Sequence, residues 1–599
     1  GKRRAREVQV QPQPARQAAA SPFYSKQEDT FQQRLAEPGK RSRFLFPLKK
    51  WISDGIAKEA CHGAEPRALV ENGAGRKGLE AQDGYKLERV IGYSSRSAGR
   101  GGVFYTGGME AVYAVADVCV VQSTGGQRFY RGGGLEVTCM ALHPDGETVA
   151  SAQLGEGGVV SIWSTCDMGL RSSIDPGHST GVGCVAFSPA GARLVTVGLD
   201  QYHSIAVWEW RTGVKVASAF GSEQKISSIA FALGEDAFAT CGVRHVKFWT
   251  CAQPPEGGPA ILVGRKGALP RAVTHVVCAQ WTAAGLLTGA LDGCLDQWMD
   301  GASQRRVEAH EGAVQDLCRC PLSTEDGVIS AGQDGTIKVW RAGEHVKILL
   351  LKTIDLSKLC LAQGLVAKGD PVAGGCASSI SCRGDHVLVA RRQCAQLLEV
   401  VLPEGDDACN NVKARILAQG HTSGVIEVMA VNPEDSNQVV TIASGGELRL
   451  HRDTHSEPLL LHSVAALSVS FSQDGGVLAV GLADGKVALF QLEQGRSPRK
   501  LSTFAPASLP DPTPGGYGDE VPGDLRSDPG GVTALALSRC GTLLAAGYQD
   551  GGVVIVGLDA ATKEGVWCET LSSEDPPAGN SAAMRGADLS LGAVPNKPR

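Results

Sequence analysis

His310, Ser330 and Asp334 lie close together in the chain, and their side chains are of the types that do acid–base and nucleophilic work. Thr196 and Asp200 repeat the spacing of Ser330 and Asp334. The surrounding sequence gives such chemistry no frame: there is no GxxxxGK[ST] loop, no HExxH and no clustered carboxylate pair in a definable cleft. His203, His245, His421 and His451 fall in turn or strand positions. Cys318-Arg319-Cys320, the nearest thing to a ligand pair, lacks a second pair at zinc-site spacing. The other cysteines, such as Cys139, Cys184, Cys241 and Cys278, are scattered through strand-like segments and read as small buried hydrophobes in a reducing compartment. No enzyme, catalytic residue, metal or cofactor is expected.

The elements that hold these residues explain them better. Five β-branched or apolar runs end in tryptophan: Trp163, Trp208, Trp249, Trp298 and Trp340, at intervals of 45, 41, 49 and 42 residues. Within each unit an apolar strand, a Pro/Gly/Asp turn, a second strand, an Asp-Gly type turn and the Trp strand recur, as at Asp292-Gly293 and Asp334-Gly335. A period of that length with four strand-like segments predicts an all-β chain of β-propeller blades, and the blades resemble the WD40 type. A unit at 87–131, the five Trp units and a degenerate unit near 376–400 make seven, enough for one ring.

A fresh series opens at Gly420-His421, with His451, Phe490 and Val556 in the Trp positions. Its three blades cannot close a ring, so a second, incomplete ring is expected, and with it a chain that is a piece of a longer protein. The predicted domains are a basic, mostly disordered segment at 1–85, the first propeller at 86–410, a partial second propeller at 411–557 with a disordered insertion at 495–530, and a disordered tail at 558–599.

Charge is uneven. The net charge is -5, yet residues 1–50 hold twelve Lys or Arg against four acids, leaving -13 for the remainder. A basic leader on an acidic body points to an anionic partner. Nucleic acid is not expected, since few aromatic residues interleave with the basic ones and no recognition module is visible. No run of 18 apolar residues occurs, so membrane insertion is not expected either.

The fullest unit, His310 to Trp340, resembles WD-repeat proteins, and that resemblance implies a hydrogen-bonded chain of His310, Ser330, Asp334 and Trp340. Thr196, Asp200 and Trp208 take the same places in an earlier unit. Several segments resemble one branch more closely. Leu87-Glu88-Arg89-Val90-Ile91-Gly92-Tyr93, Val103-Phe104-Tyr105-Thr106-Gly107 and the run 111–121 are similar to the hydrophobic HELP motif of the echinoderm microtubule-associated protein-like (EMAP-like) family, and Cys241 to Thr250 and Ala309 to Val314 follow in that family's order.

The resemblance implies two joined propellers and a non-catalytic scaffold that binds tubulin or microtubules, in the cytoplasm on the cytoskeleton of a spindle or cilium. Tyr93, Phe104 and Tyr105 then read as packing residues, because their apolar alternation is that of strands. Lys2, Arg3, Arg4 and Arg6, with Lys40, Arg41, Arg43, Lys49 and Lys50, are the candidate basic contacts to acidic tubulin. The alternative is a WD40 adaptor that holds other proteins on its propeller faces in a ubiquitin ligase or ciliary transport complex.

Overall fold

The computed structural model describes residues 87–93 and 102–571 apart from short internal stretches, the longest being 367–374, 403–411 and 507–529. All of them belong to one compact unit, 77–599. They form ten four-stranded antiparallel sheets, each built from four consecutive strands in chain order. The sheets span 103–131, 137–174, 182–219, 226–266, 276–308, 314–355, 377–419, 426–458, 466–504 and 532–571. They are numbered here in that order.

A four-stranded meander has two faces to bury, and it buries them on its neighbours. Sheets 2 to 7 pack in succession, each first strand lying against the next, and sheet 1 packs on sheet 2 through a core that includes Phe104, Val112, Met140 and Trp163. The circuit closes where Leu388 and Leu397 of sheet 7 meet Val103 and Tyr113 of sheet 1. No strand is shared between the first and last sheets, so side-chain contacts fasten that seam. Sheets 8, 9 and 10 continue as an arc with its own cores. Among the described residues, no helix is long and apolar enough to cross a membrane.

Trp163, Trp208, Trp249, Trp298 and Trp340 each lie in a third strand and are buried between sheets. Burying a large side chain of this kind stabilises a fold by about 2–3 kcal/mol relative to leaving it exposed. At Trp163, Trp208, Trp298 and Trp340 the ladder to the fourth strand shifts by one residue. Such a bulge bends the outer strand away and adds twist. The same shift falls at Phe490, which faces Leu478 as Trp340 faces Val328 and stands in for tryptophan in sheet 9; in sheet 7 the residue in that register is Val400, facing Val387.

Three boundaries differ from the expectation. Strand Arg499–Phe504 lies inside the stretch 495–530 read as an insertion, and strand Gly565–Leu571 lies inside the tail predicted from 558. Strand Lys413–Gln419 completes sheet 7, so the break placed at 410 moves to after 419. The cause is shared. All three are fourth strands, which form the outer edge of a sheet and bury one side at most, so their sequences read as polar loop. The degenerate unit near 376–400 is therefore a full sheet preceded by a short helix, Leu356–Ala362, capped by Asp355.

Candidate functional site

In sheet 6 the connector before the first strand delivers His310, the second strand Ser330, the following turn Asp334 and the third strand Trp340. The Trp340 indole donates to Ser330 Oγ at 2.8 Å, His310 Nε2 meets the same hydroxyl at 2.7 Å, and His310 Nδ1 lies 3.1 Å from both Asp334 oxygens. Burial alone would raise the Asp334 carboxyl, but hydrogen bonds from His310 and Thr336 hold it well below the usual carboxylate range. Every polar group in the set is committed to another, which fixes the blade and leaves none for substrate.

Sheet 3 repeats the arrangement. Trp208 donates to Thr196 Oγ1 at 3.1 Å, and Asp200 takes the Ser204 hydroxyl at 2.6 Å. The structure adds His178, whose Nε2 lies 3.2 Å from Thr196 Oγ1 and whose Nδ1 lies 2.8 Å from Ser204 Oγ. Its signal was in the sequence, because Gly177-His178 stands before the first strand much as Ala309-His310 does. Gly177-His178-Ser179-Thr180-Gly181 also has the GxSxG spacing of a serine nucleophile. It leads into strand Val182–Phe187 rather than a helix, and its histidine is spent on Thr196 and Ser204.

Two sheets vary the arrangement. In sheet 4 the histidine comes from the third strand itself: His245 Nε2 meets Thr240 Oγ1 at 2.8 Å, and Trp249 donates to that hydroxyl at 2.9 Å. In sheet 8 histidine replaces the indole. Thr441 Oγ1 lies 2.7 Å from His451 Nε2 and 2.6 Å from His421 Nε2, and Glu447 takes the aspartate's place beside His421 at 3.6 Å. Burial, then His421 and Arg449, push the His451 imidazole down to about 4.

Tyr93, Phe104 and Tyr105 are buried. Phe104 lies in the core between sheets 1 and 2, and Tyr93 stands edge-on to Tyr113 with ring centroids 6.0 Å apart. Tyr105 crosses the closure seam and donates to Glu399 Oε1 of sheet 7 at 2.7 Å. Burial pushes its phenol far up, and Glu399 adds to the effect. The candidate contacts Lys2, Arg3, Arg4, Arg6, Lys40, Arg41, Arg43, Lys49 and Lys50 lie outside the described residues.

A cleft of about 1210 Å³ lies between the circuit and the arc, lined among others by Tyr105, Gln122, Glu399, Arg415, Pro458 and Lys500. Arg415 pairs with Glu399, so the charge at its floor is answered. Beside it a buried polar seam joins sheets 7 and 8. With its amide turned to satisfy both ends, Gln419 accepts from Arg449 at 2.7 and 3.1 Å and from Gln396 at 3.1 Å. Among the described residues no group of three or more His, Cys, Asp or Glu could hold a metal ion.

Comparison with known proteins follows this geometry. A family model described as the echinoderm microtubule-associated protein first β-propeller matches residues 126–370. Human echinoderm microtubule-associated protein-like 2 is 28% identical over 470 residues, covering 71% of this chain and 69% of the relative. The mouse protein of that name is 27% identical over 68% of this chain and 61% of its own length. Human echinoderm microtubule-associated protein-like 3 is 26% identical over 75% of this chain, which spans half of that relative, 50%. Among solved structures, the WD40 repeats of RRP9 superpose with a TM-score of 0.40 at 17% identity, over 56% of this chain and 96% of that one. The chain has the WD-repeat β-propeller fold and is similar, over about two thirds of its length, to proteins of the echinoderm microtubule-associated protein-like family.

Proposed function

We propose that this chain is a non-catalytic scaffold that associates with microtubules, on the cytoplasmic cytoskeleton. The observation that carries the reading is the match of residues 126–370 to the first propeller of a family named for that association. The sheets support it in a physical sense: their histidine, serine and aspartate groups are consumed in fastening blades, which suits a rigid body offering surface rather than chemistry. The folded sheets provide the specific contact. The basic leader adds salt-sensitive attraction to acidic tubulin.

Co-sedimentation of the full chain with microtubules at low and moderate salt tests this. The expected result is pelleting at low salt that weakens as salt rises. Absence of the chain from the pellet at low salt would overturn the proposal and leave the adaptor reading in its place.

A further inference from the structure

One end of sheet 4 gathers cations with no acid to answer them. Lys225 precedes its first strand, Arg244 sits at φ 48° in the turn from second to third, and Lys247 and Lys266 stand directly opposite each other on the third and fourth. Like charges in that register destabilise a sheet. Among the described residues none of the four makes an ion pair. The Lys247 ammonium lies 3.8 Å from the Trp249 ring centroid, a contact that orients it without neutralising it. Gly264 keeps the place open, since a Cβ there would fall 2.3 Å from Lys247 Cε and 2.7 Å from the Trp249 ring. Buried His245 registers the local field: burial, then Lys247, His203 and Lys266, push its imidazole down to about 4.

Next to these cations stands an exposed aromatic pair. Phe220 is 76% exposed and Tyr202 is 46% exposed, their rings edge to face with centroids 5.5 Å apart. The pair is anchored to the connector that leads to Lys225: the Tyr202 carbonyl accepts from the Ser222 amide at 3.0 Å, and His203 Nδ1 meets the Ser222 carbonyl at 3.1 Å. The connector carries a single acid, Glu223. Large exposed rings beside arginine and lysine are the composition of binding hot spots rather than of ordinary surface.

We propose that this end of sheets 3 and 4 is a docking surface for an acidic peptide segment bearing an aromatic residue. Its carboxylates would meet Lys225, Arg244, Lys247 and Lys266, and its ring would rest against Tyr202 and Phe220. The rings are locked edge to face and form an apolar notch, not the parallel platforms on which successive bases stack, so the geometry favours peptide over nucleic acid. The surface does not depend on the microtubule reading, because a free peptide reports it in the absence of tubulin.

The test is fluorescence anisotropy of the full chain with a labelled decapeptide of glutamates flanking one phenylalanine, at low salt. The double variant K225Q/K266Q and the variant F220A should each weaken binding about tenfold, while K358Q, on the exposed helix Leu356–Ala362, should leave it unchanged. K266E separates binding from folding. It places opposite charges across the strand pair, so it should raise the melting temperature while weakening the peptide. The proposal is overturned if the wild-type chain does not bind, if K225Q/K266Q and F220A bind as wild type, or if oligothymidylate binds more tightly and displaces the peptide.

Discussion

The Trp340 indole and the His310 imidazole share one partner, the Ser330 hydroxyl, at 2.8 and 2.7 Å. The third strand of sheet 6 and the connector before its first strand are thus tied through an atom on the second. Ser330→Ala leaves both nitrogens buried without their partner and should cost about 1–3 kcal/mol. Trp340→Phe keeps most of the ring and loses one hydrogen bond, so it should cost less. Trp340→Ala opens a cavity and should cost about 3–5 kcal/mol. Chemical denaturation of the three variants checks the order, and a harmless Ser330→Ala would contradict the shared role.

Acid should begin to loosen the fold through its buried histidines. Histidine in the unfolded chain takes its proton near 6.5, whereas His245 and His451 are pushed down to about 4, chiefly by burial. Above pH 6.5 both are neutral folded and unfolded, and their stabilising contribution is complete. As pH falls from 6.5 to 4 the unfolded chain gains protons that the folded chain refuses, and up to about 3 kcal/mol per histidine is lost. Melting temperatures at pH 7 and pH 5 should show the drop, and His451→Gln should shrink it. An unchanged slope in that variant would place the acid sensitivity elsewhere.

The sequence announced the blades wherever tryptophan marked them, because a buried indole needs a hydroxyl, and Ser330 and Thr196 sit at readable offsets from Trp340 and Trp208. Sheet 7 showed only as a degenerate unit, because Val400 fills the same place without a polar atom and so requires no hydroxyl to announce it. Edge strands were lost for a related reason: Arg499–Phe504 and Lys413–Gln419 carry charge on their open side and mimic loops. Nor could offsets show that His245 would serve Thr240 from within its own hairpin, since that contact depends on the tight turn at Val243 and Arg244.

The joint between circuit and arc should be sensitive to single atoms. Arg449 is fully buried and answered by Glu447, Gln419 and Ser456. Arg449→Ala strands those groups and should cost about 3–5 kcal/mol. Gly420→Ala acts on the backbone instead: a Cβ there would lie 2.5 Å from the Tyr93 carbonyl oxygen. It should lift the stretch 87–93, which Gln127 holds by hydrogen bonds of 2.9 and 3.1 Å to the Val90 amide and carbonyl. Limited proteolysis near Arg89 should then be faster than in the wild-type chain.

The leader's contribution to microtubule association should appear as salt sensitivity. Replacing Lys40, Arg41, Arg43, Lys49 and Lys50 with glutamine in the full chain removes five positive charges of the twelve in residues 1–50. Exposed charges act at the range of the Debye length, about 10 Å at 0.1 M salt, so pelleting should weaken at low salt and converge with wild type at high salt. An equal loss at all salt concentrations would mean that these side chains make close, specific contacts rather than steer.

The first strand of sheet 8, Ile426–Val431, carries a second kind of exposed surface. Met429 and Val431 share one parity along it and are 67% and 48% exposed, while Val428, of the other parity, packs into the core shared with sheet 9. Side chains on a strand alternate faces, so the exposed set covers the side of sheet 8 turned away from sheet 9. A contiguous apolar sheet face of this kind drives association. Met429→Lys places a charge in its middle without touching the core, so stability should change by less than about 0.5 kcal/mol. Concentration-dependent self-association, read by light scattering, should fall. Unchanged scattering would mean that this face does not drive association.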